Sequence, residues 1–115
     1  MRIVFDKNVP VGVRGFLWRK HEVRAFVEMH WHPKLGNGDL LKEAEAAGFD
    51  VLVTCDQSIR YQQNLTGRKL ALVALGSNLW PVVRDHGTNI SAKVDEATPG
   101  SYDFIEMKLP PKRSR

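Results

Sequence analysis

Apolar positions along the chain form two patterns. Short unbroken runs occur at 2–5 (RIVF), 50–54 (DVLVT) and 69–75 (KLALVAL), with a looser one at 21–26 (HEVRAF). Such runs predict strands, and their lack of alternation suits a parallel sheet covered on both faces. Between them, apolar residues recur at helical spacing. Val11, Phe16, Leu17 and Trp18 follow Pro10, which suits a first helical turn, and predict a helix to about Arg19. Leu40, Leu41, Ala44 and Ala47 share one face of a second helix. Asn37 or Gly38 caps it, Asp39 sits in its first turn where a negative charge suits the helix dipole, and Gly48 stops it.

The remaining segments are less regular. Val27–Trp31 reads as a helical turn and His32–Gly38 as a loop. Gln57–Asn64 is polar and suits a short helix, followed by a turn at Thr66-Gly67. A helix opens near Pro81 and runs from about Leu79 towards Ala97, with a break near Gly87. Tyr102–Met107 reads as a last strand after the Pro99-Gly100 turn. Strands alternating with helices predict an α/β domain, an open and mostly parallel sheet of about five strands with helices on both sides.

The 115-residue length fits one domain, residues 1–107, followed by a basic tail, 108–115, expected to be disordered. The net charge of +4 is accounted for by Lys108, Lys112, Arg113 and Arg115, so the body is neutral and is not a basic nucleic-acid clamp. Arg2, Lys7, Arg14, Arg19, Lys20 and Arg24 make the first 24 residues locally basic. That surface and the tail are either phosphate contacts or ordinary solubility charge. The single Cys55 excludes an internal disulfide framework and a cysteine zinc site. Cys55 lacks an evident His partner and has an acidic neighbour, so it reads as a small buried residue rather than a nucleophile. No apolar run approaches the ~20 residues of a membrane helix, and no signal-like segment opens the chain. A soluble, cytoplasmic protein is expected.

In parallel sheets, ligands bind beyond the carboxyl ends of the strands. Asp6 follows the first strand and Asp56 the third, while Asp39 opens the helix that leads into the third. If the first and third strands are neighbours, the three carboxylates can converge on one rim. Clustered carboxylates either raise a pKa or share a cation, and an all-oxygen set suits Mg²⁺ or Mn²⁺. Asn8, Thr54 and Ser77 are nearby polar groups able to orient ligands or water. Each aspartate taken alone also reads as a turn or helix cap.

The segments RIVFDKNVP, NGDLLKEAEAAGFDVLVTCDQ and YQQNL resemble the short PIN-like proteins related to toxin components of bacterial toxin–antitoxin modules. The likeness covers most of residues 1–80. It implies a three-layer α/β/α sandwich and a metal-dependent ribonuclease, with RNA and an antitoxin protein as partners. Asp6, Asp39 and Asp56 match acids of that family's site, and Asn8 falls where many relatives have an acid or Asn. Many active relatives carry a further acid shortly after the position of Asp56, where Gln57, Ser58 and Ile59 stand here. One Mg²⁺ held by Asp6 and Asp56, with Asp39 acting through water, is the expected arrangement; a degenerate, non-cleaving domain is the alternative.

Other groups have two readings each. Tyr61, Gln62, Gln63 and Asn64 either bind bases and phosphates or close a loop. Arg60 and Arg68 flank them as phosphate contacts or solubility charges. His30 and His32 are spaced as ligands on a strand but lie in a predicted loop, and Trp31 either stacks on a base or packs on the sheet. A phosphoacceptor arrangement of Asp6, Asp56, Ser77 and Lys108 is a third reading, though it lacks paired acids after the first strand. A homodimer is compatible with a domain of this size.

Overall fold

The unbroken apolar runs become strands because each supplies two buried faces. The computed structural model describes residues 1–59, 65 and 67–107. Its strands are β1 (Arg2–Phe5), β2 (Glu22–Arg24), β3 (Val51–Thr54), β4 (Ala71–Leu75) and β5 (Tyr102–Ile105). They form one sheet in the order β2-β1-β3-β4-β5, with every neighbouring pair parallel. The protein therefore has the α/β fold expected from its pattern. Register aligns Val4 with Leu52 and Leu52 with Leu72; one step along, Phe5, Val53 and Val73 align.

Successive side chains leave a strand on opposite faces, so these two rows feed two separate cores. Ile3, Phe5, Val53, Val73 and Leu75 pack on the first face under Val13, Leu17, Val82, Val83, Ile90 and Val94. Val4, Leu52, Leu70 and Leu72 pack on the second under Phe26, Leu40, Leu41, Ala44, Phe49 and Ile59. The three α-helices of the described residues are α1 (Asn37–Ala46), α2 (Trp80–Val83) and α3 (Gly87–Glu96). The second and third cover the first face, and α1 covers the second. Gly48 adopts a φ of 82° just after α1, the left-handed stop that favours glycine.

Several elements differ from their sequence expectation. The helix expected to reach Arg19 is a six-residue 3₁₀ helix, Val11–Phe16. It holds Gly12 and Gly15, which weaken a longer helix. A Cβ on Gly12 would overlap the Trp80 ring, which stacks on Phe16 at 5.9 Å between centroids. The expected strand 21–26 is only Glu22–Arg24. Ala25 caps a second 3₁₀ helix, Phe26–Met29, by donating its N–H to Glu28 at 2.9 Å, and Phe26 turns into the second core. The break expected near Gly87 in the helix of residues 79–97 is present, as a 3₁₀ turn at Arg84–His86. α3 then starts at Gly87, where a Cβ would lie 2.6 Å from the Phe16 ring. The segment 60–64, Thr66 and the tail 108–115 lie outside the described residues. Among the described residues no helix is long and apolar enough to cross a membrane.

Candidate functional site

The strand order reverses direction between β1 and β3, since the chain moves from β1 outward to β2 and then returns to pair β3 on the other side. Such a switch point opens a crevice at the carboxyl ends of the two strands. Asp6 and Asp56 stand there. The Asp6 backbone N–H donates to Val53 O at 2.8 Å, which holds the residue at the end of the β1–β3 ladder. The residue is buried, at 7% exposure. Oδ1 accepts the Lys7 backbone N–H at 2.7 Å, and Oδ2 accepts the hydroxyl of Thr54 at 2.8 Å.

Thr54 ends β3 and is fully buried. Its hydroxyl also accepts the backbone N–H of Asp56 at 3.0 Å. One oxygen thus ties the two aspartates together, donating to one and accepting from the other. Asp56 closes its own turn: Oδ1 accepts the Ser58 N–H at 3.0 Å and the Ser58 hydroxyl at 2.6 Å. Oδ2 accepts the side-chain amide of Asn37 at 3.0 Å. The Ser58 hydroxyl, then the Asn37 amide, hold the Asp56 carboxyl below the usual carboxylate range, against the opposing effect of burial. Among the described residues neither Asp6 nor Asp56 has an ion-pair partner.

The expectation that the helix before β3 starts over this rim holds, because α1 runs back across the sheet. The residue that reaches the rim is Asn37, which sequence reading treated only as a cap. Asp39 is exposed in the same turn and makes none of these contacts. At 3.6 residues per turn, positions two apart lie about 200° apart around a helix, so Asn37 and Asp39 face different ways. Among the described residues no three His, Cys, Asp or Glu side chains form a group able to hold a metal ion. The described site is therefore a two-carboxylate site with one threonine and one amide.

The other named residues are placed as follows. Asn8 and Gln57 are exposed beside the rim. The Ser77 hydroxyl accepts the Leu79 N–H at 3.1 Å and so caps the turn into α2, while its carbonyl takes the Cys55 thiol at 3.4 Å. Arg68 pairs with Glu45 at 2.6 Å. His30 ends its 3₁₀ helix with a φ of 57°, and the Nδ1 of His32 accepts the Lys34 N–H at 3.0 Å. Trp31 packs against Phe26, edge to face at 5.6 Å. Arg60, Tyr61, Gln62, Gln63, Asn64 and Lys108 lie outside the described residues.

Burial, and then the nearby Asp6 charge, push the Cys55 thiol up to about 11. The thiolate is the reactive form, so alkylation of the folded protein at pH 8 is expected to be slow and to accelerate towards pH 11. Iodoacetamide labelling followed by mass spectrometry checks this; fast labelling at pH 8 contradicts it. The sign for stability follows. The unfolded thiol ionises near 9 and the folded one near 11, so stability is fully present below pH 9 and falls between pH 9 and 11.

The fold and rim thus define an α/β domain with aspartates following two neighbouring strands. Comparison with protein-family models, with curated proteins and with solved structures gives no match for this chain.

Proposed function

We propose that the chain is a PIN-like, metal-dependent ribonuclease of the cytoplasm, of the kind that serves as toxin in toxin–antitoxin modules, with an antitoxin protein as its partner. The observation that carries the reading is the hydrogen-bonded series Asp6–Thr54–Asp56–Asn37 at the crevice between β1 and β3. The Thr54 hydroxyl donates to the Asp6 carboxylate and accepts the backbone N–H of Asp56, and neither carboxylate has an ion-pair partner among the described residues. Their donors are oxygens, which suit Mg²⁺ or Mn²⁺, and Mg²⁺ commonly takes one or two carboxylates and keeps several waters. In this reading Asp6 and Asp56 would hold one hydrated ion between them. The described residues do not form a cage of three carboxylates, so Asp39 is not carried into the site. A bound divalent ion supplies charge neutralisation at a phosphodiester and an acidified water.

The protein's own residues do the positioning. Thr54 ties the Asp6 carboxylate to the backbone of Asp56. Asn37 and Ser58 hold Asp56 ionised and limit its rotation. The Lys7 N–H fixes the other oxygen of Asp6. A carboxylate held by one hydrogen bond per oxygen retains lone pairs for a further ligand.

One observation favours a second reading, a non-catalytic binding domain on the same scaffold. The side chain of α1 that reaches Asp56 is an amide, so the described rim has only two acids. Titration calorimetry with Mg²⁺ and Mn²⁺, run beside a cleavage assay on mixed single-stranded RNA, separates the readings. Binding heat together with metal-dependent cleavage is the expected result. Absence of both leaves the binding domain, and metal binding without cleavage rejects the nuclease.

A further inference from the structure

A cavity of about 410 Å³ lies beside the rim, walled by Lys7, Phe26, Val27, His30, Trp31 and Pro33. It is within the size range of small-ligand pockets, roughly 300–1,000 Å³. A smaller cavity of about 140 Å³ shares Lys7, Phe26 and Val27 with it and is also lined by Asp6. The two cavities therefore adjoin along Lys7, Phe26 and Val27, and the smaller one borders Asp6.

The walls have a definite chemistry. Trp31, half-buried, meets the buried Phe26 edge to face at 74°, and the Lys7 ammonium lies over the Phe26 ring at 5.8 Å, so Trp31 is the aromatic wall open to a ligand. Val27 is 77% exposed on the wall common to both cavities. The larger cavity holds one amine and one imidazole and no carboxylate. The Lys7 ammonium donates to Pro33 O at 2.6 Å, which leaves two of its three N–H groups for an anion. Exposed Lys34 adds a second ammonium close by along the chain.

We propose that this cleft is a base-binding subsite for single-stranded RNA, taking an unpaired nucleobase at Trp31 and its phosphate at Lys7. The inference rests on the ribonuclease reading of the neighbouring carboxylates and adds the substrate side of that site. A base has an apolar ring face and a polar edge. It gains by stacking on the Trp31 ring while its edge and phosphate stay near Lys7. Only an unpaired base presents its face in this way, so duplex RNA is excluded. Lys7 belongs to both cavities, so a phosphate bound there sits between the base and Asp6. The absence of a carboxylate in the larger cavity suits a polyanion.

The test measures binding of a short fluorescein-labelled oligouridylate to the full chain by anisotropy, with EDTA present so that cleavage does not contribute. The parent protein is expected to bind it about tenfold more tightly than an abasic oligomer carrying the same number of phosphates. Trp31→Ala and Val27→Glu are each expected to weaken binding about tenfold, and Trp31→Phe to retain most of it. Val27 is exposed, so its variant remains informative if Trp31→Ala fails to fold. Undetectable binding by the parent, equal binding of the abasic oligomer, or parental affinity in Val27→Glu overturns the proposal. Cleavage with Mg²⁺ is scored separately. Base-dependent binding without cleavage removes the nuclease and keeps the cleft, whereas cleavage with unaltered Val27→Glu binding removes the cleft alone.

Discussion

Asp6→Asn is expected to leave the protein folded and to reduce metal-dependent RNA cleavage about 100-fold or more. The substitution keeps the size of the side chain. Its carbonyl oxygen still accepts the Lys7 N–H, and its amide nitrogen meets the Thr54 hydroxyl. That oxygen already accepts from Asp56 and has a second lone pair, so it accepts instead of donating. What disappears is one negative charge at the rim. Asp56→Asn should act alike, since Ser58 still donates to its oxygen and Asn37 can turn its amide to offer a carbonyl. Circular dichroism checks the fold, and cleavage at several Mg²⁺ concentrations checks the site. Parental rates in both variants, at equal protein and metal, would remove the catalytic role of the pair.

Leu72→Ala is the largest expected loss of stability, about 2–5 kcal/mol. Leu72 is fully buried in the interior strand β4, aligned with Leu52 on one side and Tyr102 on the other. Its side chain packs in the second core, where the sheet lies under α1. Truncation leaves a void that neighbours on two strands and a helix cannot all close. The loss is a large part of the ~5–15 kcal/mol that holds a domain folded. Urea unfolding should show a lower midpoint with an unchanged slope. Leu79→Ala is the internal control: Leu79 is 54% exposed, so its truncation should stay within about 0.5 kcal/mol. Equal midpoints for the two variants would contradict the placement of the core.

The sheet was readable because burial on both faces leaves a plain trace in sequence. Val51-Leu52-Val53 and Ala71–Leu75 admit no polar residue, and no amphipathic element of that length would tolerate such runs. The adjacency of Asp6 and Asp56 followed from the same reasoning, because strand-end residues of neighbouring parallel strands share a rim. Helical detail was less legible. Val11–Phe16 has the apolar spacing of an α-helix, but its two glycines and the Trp80 ring against Gly12 are effects of local propensity and distant packing that periodicity does not carry. The exchange of Asp39 for Asn37 at the rim is subtler. Both lie in one helical turn, and only the rotation of α1 about its axis decides which side chain looks at Asp56. That rotation is set by Leu40, Leu41 and Ala44 packing on the sheet. The signal was present in the spacing of those three residues relative to positions 37 and 39. Lys7 and Val27 escaped notice for another reason: a cavity wall built from separate loops has no period.

An all-parallel sheet contains no hairpin, and this governs how the chain can assemble. β1 is synthesised before both of its neighbours, since its partner β3 begins at Val51 and its other neighbour at Glu22. At ~5–20 residues per second, several seconds of translation separate the first strand from a complete set of neighbours. During that interval Ile3, Val4 and Phe5 lack the sheet neighbours that bury them in the fold.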